Sequence, residues 1–133
     1  MAAVSGLTTY HKYIAGGLGL VFTGLGLAGI YDPLNQSHAF GLVNSTNKEI
    51  TFYPGLSARN ISAGLYIFYM INQNNNQKRN LGVFLLVWTI TSWTDYMICL
   101  NAQSRGEQVN MGFSHAITAV LTTVFATRLL EVW

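Results

Sequence analysis

The stretch that decides the fold is YIAGGLGLVFTGLGLAGIY, residues 13–31, which contains no Asp, Glu, Lys or Arg. A helix that crosses a bilayer needs about 20 predominantly apolar residues. Three further segments are largely apolar, around residues 55–71, 81–100 and 109–130, although 55–71 is short and carries Arg59. The sequence therefore predicts an all-α fold, a bundle of four transmembrane helices within one domain that covers residues 1–133.

The overall composition agrees with a membrane protein. Of the 133 residues, half are hydrophobic and 9% are charged, whereas an ordinary soluble domain carries about 25% charged residues. The net charge of +2 is too weak for a nucleic-acid-binding surface, so no nucleic-acid partner is expected. The single cysteine, Cys99, excludes an internal disulfide framework and a Cys-rich zinc site.

The first apolar segment also invites comparison with a cleaved signal peptide, because Lys12 precedes it. The apolar core of a secretory signal is usually about 7–15 residues long. This segment is longer, and no clear small-x-small cleavage site stands before Asp32. We therefore expect a helix that is retained.

The connections between the segments differ in length and character. Residues 72–80, NQNNNQKRN, are too polar to enter a bilayer, and residues 101–108 form a compact turn. The connection 32–54 is long for a helical bundle and contains a β-prone run, ITFY, at residues 50–53. It either folds over one end of the bundle or forms a disordered outer loop.

The basic residues indicate an orientation, because Lys and Arg favour the cytoplasmic side of a membrane. With four spans, both termini lie on one side, together with four basic residues: Lys12, Lys78, Arg79 and Arg128. The opposite side carries Lys48 and Arg105. We expect an integral protein of the endoplasmic reticulum with cytoplasmic termini and with the 32–54 connection outside.

The first helix is rich in glycine, and small residues let helix backbones approach closely in lipid. Ala15, Gly19 and Thr23 recur every four residues, which places them on one face. This pattern predicts tight packing within the bundle, and the alternative is a homodimer formed through helix 1.

Three ionisable residues fall inside the predicted spans, where such groups usually face a cavity or a partner. Measured from the predicted helix ends, Arg59, Asp95 and His115 all lie about 7–10 Å inside the same face of the membrane. They form either a structural salt bridge with His115 hydrogen-bonded to it, or a functional polar pocket.

A functional pocket of this composition suits acid–base chemistry on a lipophilic substrate. A carboxylate beside an imidazole can activate water or accept a proton, and an arginine can stabilise developing oxyanion charge. Neighbouring side chains are the expected substrate-binding residues: Asn60, Tyr66, Trp88, Thr91, Ser92 and Tyr96. We find no pattern for a metal or another cofactor, no nucleophilic serine motif and no phosphate-binding loop.

The run SARNISAGL at residues 57–65, with Asp95 and with His115 in GFSHA, resembles the small four-helix membrane proteins of domain-of-unknown-function family 4267. That family has an Arg-Asp pair and then Gly-Leu in its second helix, an aspartate in its third and a histidine in its fourth. The resemblance covers about residues 55–130. It departs at Asn60, which replaces the family's frequent aspartate and cannot act as a base, so Asp95 is left as the carboxylate.

The resemblance implies a setting as well, because such proteins occur in fungal secondary-metabolite pathways. By analogy we expect hydrolysis or cyclisation of epoxides on polyketides or meroterpenoids. Asp95 would activate water or a substrate hydroxyl, His115 would orient it or relay the proton, and Arg59 with Asn60 would stabilise the epoxide oxygen. The alternative is a non-catalytic membrane binding or assembly protein with a structural Arg-Asp-His cluster. A transport path would need polar residues through the whole membrane, whereas these cluster near one face.

Overall fold

The computed structural model describes residues 6–47, 49–73, 77–109 and 112–132. Its regular elements are helices, which confirms the all-α prediction. Five are α-helices, and a 3-10 helix at Glu49–Phe52 precedes the third of them: α1 Thr9–Tyr31, α2 Pro33–Phe40, α3 Tyr53–Asn72, α4 Gln77–Ser104 and α5 Gly112–Leu129. Within the described residues, Thr9–Tyr31 and Lys78–Ser104 are long and apolar enough to cross a membrane.

Side-chain caps define where α1 and α2 begin. Thr8 caps α1, because its Oγ1 accepts a hydrogen bond from the backbone N–H of His11, so the helix starts before the predicted residue 13. At the other end, the Oδ1 of Asp32 accepts from the backbone N–H of Asn35 at 3.1 Å, and Pro33 occupies the first turn of α2. Both residue types favour helix starts, so the chain enters α2 directly after α1.

The connection 32–54 contains α2 and the 3-10 helix. A long outer loop is therefore not confirmed, and the disordered alternative does not fit the described residues of this connection. The β-prone run 50–53 is helical: Ile50 lies in the 3-10 helix and Tyr53 begins α3. Ile50 is buried, and the hydroxyl of Tyr53 donates to the backbone carbonyl of Gln36 at 3.0 Å. These tertiary contacts override a weak strand propensity. Lys48, used above to orient the chain, lies outside the described residues.

The two C-terminal helices also differ in their bounds from the predicted spans. α4 extends at both ends beyond 81–100, and α5 is shorter than 109–130. The polar segment 72–80 is partly helical, because residues 77–80 open α4 and Lys78 forms an ion pair with Glu131 beyond α5. Residues 74–76 lie outside the described part of the chain. The compact turn predicted near 101–108 follows α4, where Gly106 adopts a positive φ of 81°.

The helices pack as two antiparallel pairs, α1 with α3 and α4 with α5. The core between the pairs contains fully buried aliphatic side chains, among them Ile67, Leu81 and Leu85. Glycines bring α1 and α3 into backbone contact. A Cβ added at Gly26 would lie 2.5 Å from the carbonyl oxygen of Ser57, and one added at Gly64 would lie 2.6 Å from that of Gly19. These glycines thus serve packing within the chain.

Candidate functional site

A cavity of about 340 Å³ lies where all five α-helices meet. Arg59 on α3, Asp95 on α4 and His115 on α5 all line it. Phe40, the last residue of α2, lines it from the connection between α1 and α3. The structure therefore brings the three ionisable residues singled out in the sequence to one cavity.

Arg59 and Asp95 form an ion pair across the two helix pairs. Nη2 of Arg59 lies 3.3 Å from Oδ2 of Asp95, and their side chains are 32% and 12% exposed. The guanidinium also lies over the indole of Trp88, 5.7 Å from the ring centre, which is a favourable cation–π distance. Nε of Arg59 is buried and has no hydrogen-bond partner among the described residues. This pair therefore leaves one donor of the guanidinium unused.

His115 is oriented by the backbone of α2 rather than by the ion pair. Its Nε2 lies 2.9 Å from the carbonyl oxygen of Phe40, and its ring packs on the Phe40 ring with 4.4 Å between centres. A carbonyl oxygen only accepts hydrogen bonds, so Nε2 carries a proton. In the neutral imidazole, Nδ1 is then the basic nitrogen. The expected hydrogen bond from His115 to the ion pair is replaced by this backbone contact.

The three residues share the cavity although they lie at different depths in their own helices. Asp95 is further from its helix end than predicted, because α4 continues to Ser104. His115 is nearer its helix start, because α5 begins at Gly112. The helix ends on this side are thus staggered, and tertiary packing brings the three groups together.

The predicted substrate-binding residues divide into two groups. Four of them line the cavity: Asn60, Trp88, Thr91 and Ser92. Tyr66 and Tyr96 do not. The ring of Tyr66 packs on Phe84 with 4.7 Å between centres, and the ring of Tyr96 packs edge-on against Trp93 at 6.0 Å. Tyr66 lies about two turns along α3 from Arg59, which takes it past the end of the cavity.

Sequence reasoning missed several polar lining residues. Ser57 and Tyr53 lie about one and two turns before Asn60 on α3, Ser114 directly precedes His115, and Thr118 lies about one turn after it on α5. A one-turn spacing from His115 would have found Thr118, whereas Tyr53, Ser57 and Ser114 do not lie three or four residues from Arg59 or His115. Gln36 and Phe40 had no such signal, because they belong to the connection that the sequence left without regular structure.

The described residues contain no group of three or more His, Cys, Asp or Glu side chains placed to hold a metal ion. What this part of the chain offers instead is a carboxylate, an imidazole with a fixed tautomer and a guanidinium around one volume. Such a set can take a proton, give a proton and stabilise negative charge on oxygen.

Comparison with known proteins gives one family. The model of the family described as Domain of unknown function (DUF4267) matches residues 19–129. Neither the curated proteins nor the solved structures contain a match to the chain. The match is wider than the resemblance at residues 55–130, because it includes most of α1 and all of α2. This match covers most of the chain and includes Arg59, Asp95 and His115, which line one cavity. The chain therefore belongs to the DUF4267 family.

Proposed function

We propose that this chain is a small integral membrane enzyme that performs acid–base chemistry on a lipophilic substrate, namely epoxide hydrolysis or epoxide-opening cyclisation. The observation that carries the proposal is the shared cavity of about 340 Å³, lined by the Arg59–Asp95 pair and by His115. Clefts of about 300–1,000 Å³ with a few convergent polar groups are typical of small-molecule sites.

The proposed setting is a bilayer crossed by α1, α3, α4 and α5, with cytoplasmic termini, in the endoplasmic reticulum. α1 and α4 have the length and hydropathy for this, and α3 and α5 pack along them. Large apolar side chains face outward, such as Leu20 at 68% and Ile90 at 67% exposure. Extensive exposed apolar surface marks contact with a membrane or a partner.

The proposed hydrolysis begins with a water molecule between Asp95 and the epoxide. The Asp95 carboxylate takes a proton from the water as its oxygen forms a bond to an epoxide carbon. The carbon–oxygen bond of the ring breaks, and its electron pair goes to the epoxide oxygen. His115, protonated at Nδ1, gives that oxygen a proton. Asp95 then returns its proton to His115, so the net reaction is addition of water. In cyclisation a substrate hydroxyl replaces the water.

Arg59 supports both charge states of this cycle. Before the reaction its Nη2 donates to the Asp95 carboxylate. When Asp95 takes the proton, negative charge develops on the epoxide oxygen instead, and the guanidinium can stabilise it through the unused Nε. A positioned donor of this kind is most effective at the charge that develops in the transition state.

The test is turnover of lipophilic epoxides by the purified full-length protein in lipid nanodiscs. Asp95→Asn and His115→Gln remove the base and the acid and should each lower kcat by about 10²–10⁴-fold. Glu107→Gln is the matched control, because this carboxylate pairs with Arg105 and does not line the cavity. Equal turnover by Asp95→Asn and the wild type would exclude Asp95 from the chemistry. Incorporation of oxygen from labelled water separates hydrolysis from cyclisation.

A second function, a non-catalytic binding or assembly protein, is favoured by one observation. The Arg59–Asp95 pair joins α3 to α4, which otherwise belong to different helix pairs. In that case Asp95→Asn lowers stability or complex formation and there is no turnover to lose. Proton-coupled chemistry is supported instead if Asp95→Asn folds like the wild type but does not turn over epoxides.

A further inference from the structure

A second, half-open cavity of about 680 Å³ lies between α1 and α5. We call it the α1–α5 seam, and five residues define its apolar walls and centre: Ile14, Leu18, Leu121, Thr122 and Phe125. The two helices do not pack closely on each other, because α1 packs mainly on α3 and α5 mainly on α4. The seam is therefore space that the two helix pairs leave between them.

The seam and the candidate site follow one another along the same helix faces. On α1, Ile14 and Leu18 line the seam, and Phe22 lines the candidate site one turn later. On α5, which runs the opposite way, Thr122 lines the seam and Thr118 lines the candidate site. Residues four apart on a helix lie one above the other. The two cavities are thus stacked along the α1–α5 boundary.

The scale of this boundary fits an extended molecule. From Ile14 to Leu25, the last α1 residue that lines the candidate site, the helix rises about 16 Å. The walls along this length are mostly aliphatic and aromatic. At the end far from the candidate site, the seam is lined by His11 and Arg128. The two stacked cavities thus run from these polar groups to the Arg59–Asp95 pair.

One buried hydroxyl borders the seam. Thr122 is 2% exposed, and its Oγ1 has no hydrogen-bond partner among the described residues. Thr118 and Thr123 on the same helix instead donate to the carbonyl one turn earlier, at 2.9 and 2.8 Å. Buried polar atoms are almost always hydrogen-bonded. Thr122 departs from this rule, and its buried oxygen is not accessible from the seam.

From these observations we propose that the α1–α5 seam binds the apolar chain of a long, unbranched substrate while its reactive group lies between Asp95 and His115. The inference rests on the proposed function and narrows its substrate class. A compact fused-ring substrate would occupy the candidate site and leave the seam unused, whereas a linear chain occupies both.

The experiment compares two single tryptophan substitutions in the full-length protein in nanodiscs. Leu121→Trp fills the seam from a side chain that is 63% exposed, so it does not disturb the core. Val120→Trp is the matched control, because Val120 is next to Leu121, is 51% exposed and does not line the seam. The binding probe is a 16-carbon alcohol with a diazirine in mid-chain and no epoxide, and labelled residues are mapped by mass spectrometry.

We expect the probe to label seam residues, and Leu121→Trp but not Val120→Trp to reduce this labelling. Displacing about two methylene groups from an apolar site weakens binding about tenfold. The same variant should lower kcat/KM about tenfold for 1,2-epoxyhexadecane and leave 1,2-epoxyoctane unchanged. Leu18→Phe, which narrows the seam from α1, should act in the same direction.

Two results would overturn the inference. One is labelling spread over outward residues such as Leu20 and unaffected by Leu121→Trp. The other is equal seam labelling by a phospholipid that carries the same diazirine, which would assign the seam to bilayer lipid. The proposed function is judged separately. Seam labelling without turnover of any epoxide would refute the function and leave chain binding intact. Epoxide turnover that depends neither on chain length nor on Leu121→Trp would support the proposed function and refute chain binding in the seam.

Discussion

The backbone contact between α1 and α3 leads to a prediction with an internal control, the pair of substitutions Gly26→Ala and Gly24→Ala. Both add one methyl group to the same helix, two residues apart. At Gly24 a new Cβ meets nothing within 4 Å, whereas at Gly26 it lies 2.5 Å from the Ser57 carbonyl oxygen and 2.9 Å from the Ile61 nitrogen. These two contacts are with backbone atoms, so rotating the Ile61 side chain, whose Cγ1 lies 2.6 Å away, would not relieve them.

The magnitude follows from two opposing effects. Replacing glycine by alanine inside a helix gains about 0.5–1 kcal/mol at either position. At Gly26 this gain is offset by overpacking, which costs about 1–3 kcal/mol, because α1 and α3 must move apart. The helix-propensity gain cancels in the comparison, so Gly26→Ala should be less stable than Gly24→Ala by about 1–3 kcal/mol.

The assay is the free energy of unfolding of the two variants in mixed micelles, followed by far-UV circular dichroism. Because Ser57 also lines the candidate site, Gly26→Ala should impair epoxide turnover as well, while Gly24→Ala leaves it intact. Equal stability of the two variants would refute the close α1–α3 packing from which the cavity geometry is derived.

Three further predictions concern three titratable side chains, Asp95, His115 and Glu49. Asp95→Leu should destabilise the protein by less than the about 3–5 kcal/mol typical of a fully buried pair, because Arg59 is 32% exposed, and adding Arg59→Met should restore part of the loss in a double-mutant cycle. Nitrogen NMR of labelled His115 should show the proton on Nε2 in the neutral ring, and a proton on Nδ1 alone would contradict the Phe40 contact. Hydrogen bonds from the hydroxyl and backbone N–H of Thr46 hold the pKa of Glu49 below its ordinary value. Their contribution to stability is present above the ordinary pKa and is lost as the pH falls through the lowered pKa. Thr46→Val should raise the pKa of Glu49 in an NMR titration, and an unchanged pKa would refute the role of these hydrogen bonds.

The helices of the bundle were largely predictable, because they depend on local composition. Uninterrupted apolar stretches predict α1 and most of α4, and small residues at a spacing of four on α1 predict its packing face. The residues at which the helices begin and end were harder to predict, because they depend on caps and ion pairs. Thr8 extends α1 towards the N-terminus, and the contact between Lys78 and Glu131 accompanies an α4 that begins inside a polar segment.

The candidate site was foreseen in its residue types but not in its shape. A charged residue is costly inside a lipid-facing helix, so Arg59 and Asp95 stand out in the sequence itself. The distance between Arg59 and Asp95 depends on how the helices are rotated and staggered relative to one another. The same is true of the placement of Tyr66 and Tyr96 away from the cavity. No short-range pattern encodes these quantities.

What the sequence by itself determined is the class of fold, the family and the three ionisable residues, because hydropathy and charge are properties of each residue. What only the tertiary structure decided is the role of α2. Its Phe40 carbonyl accepts the hydrogen bond that fixes the His115 tautomer from 75 positions away, and its residues Gln36, Ala39 and Phe40 line the cavity. That contact depends on how the two helix pairs pack against each other, and such long-range geometry is set by the whole chain rather than by any segment of it.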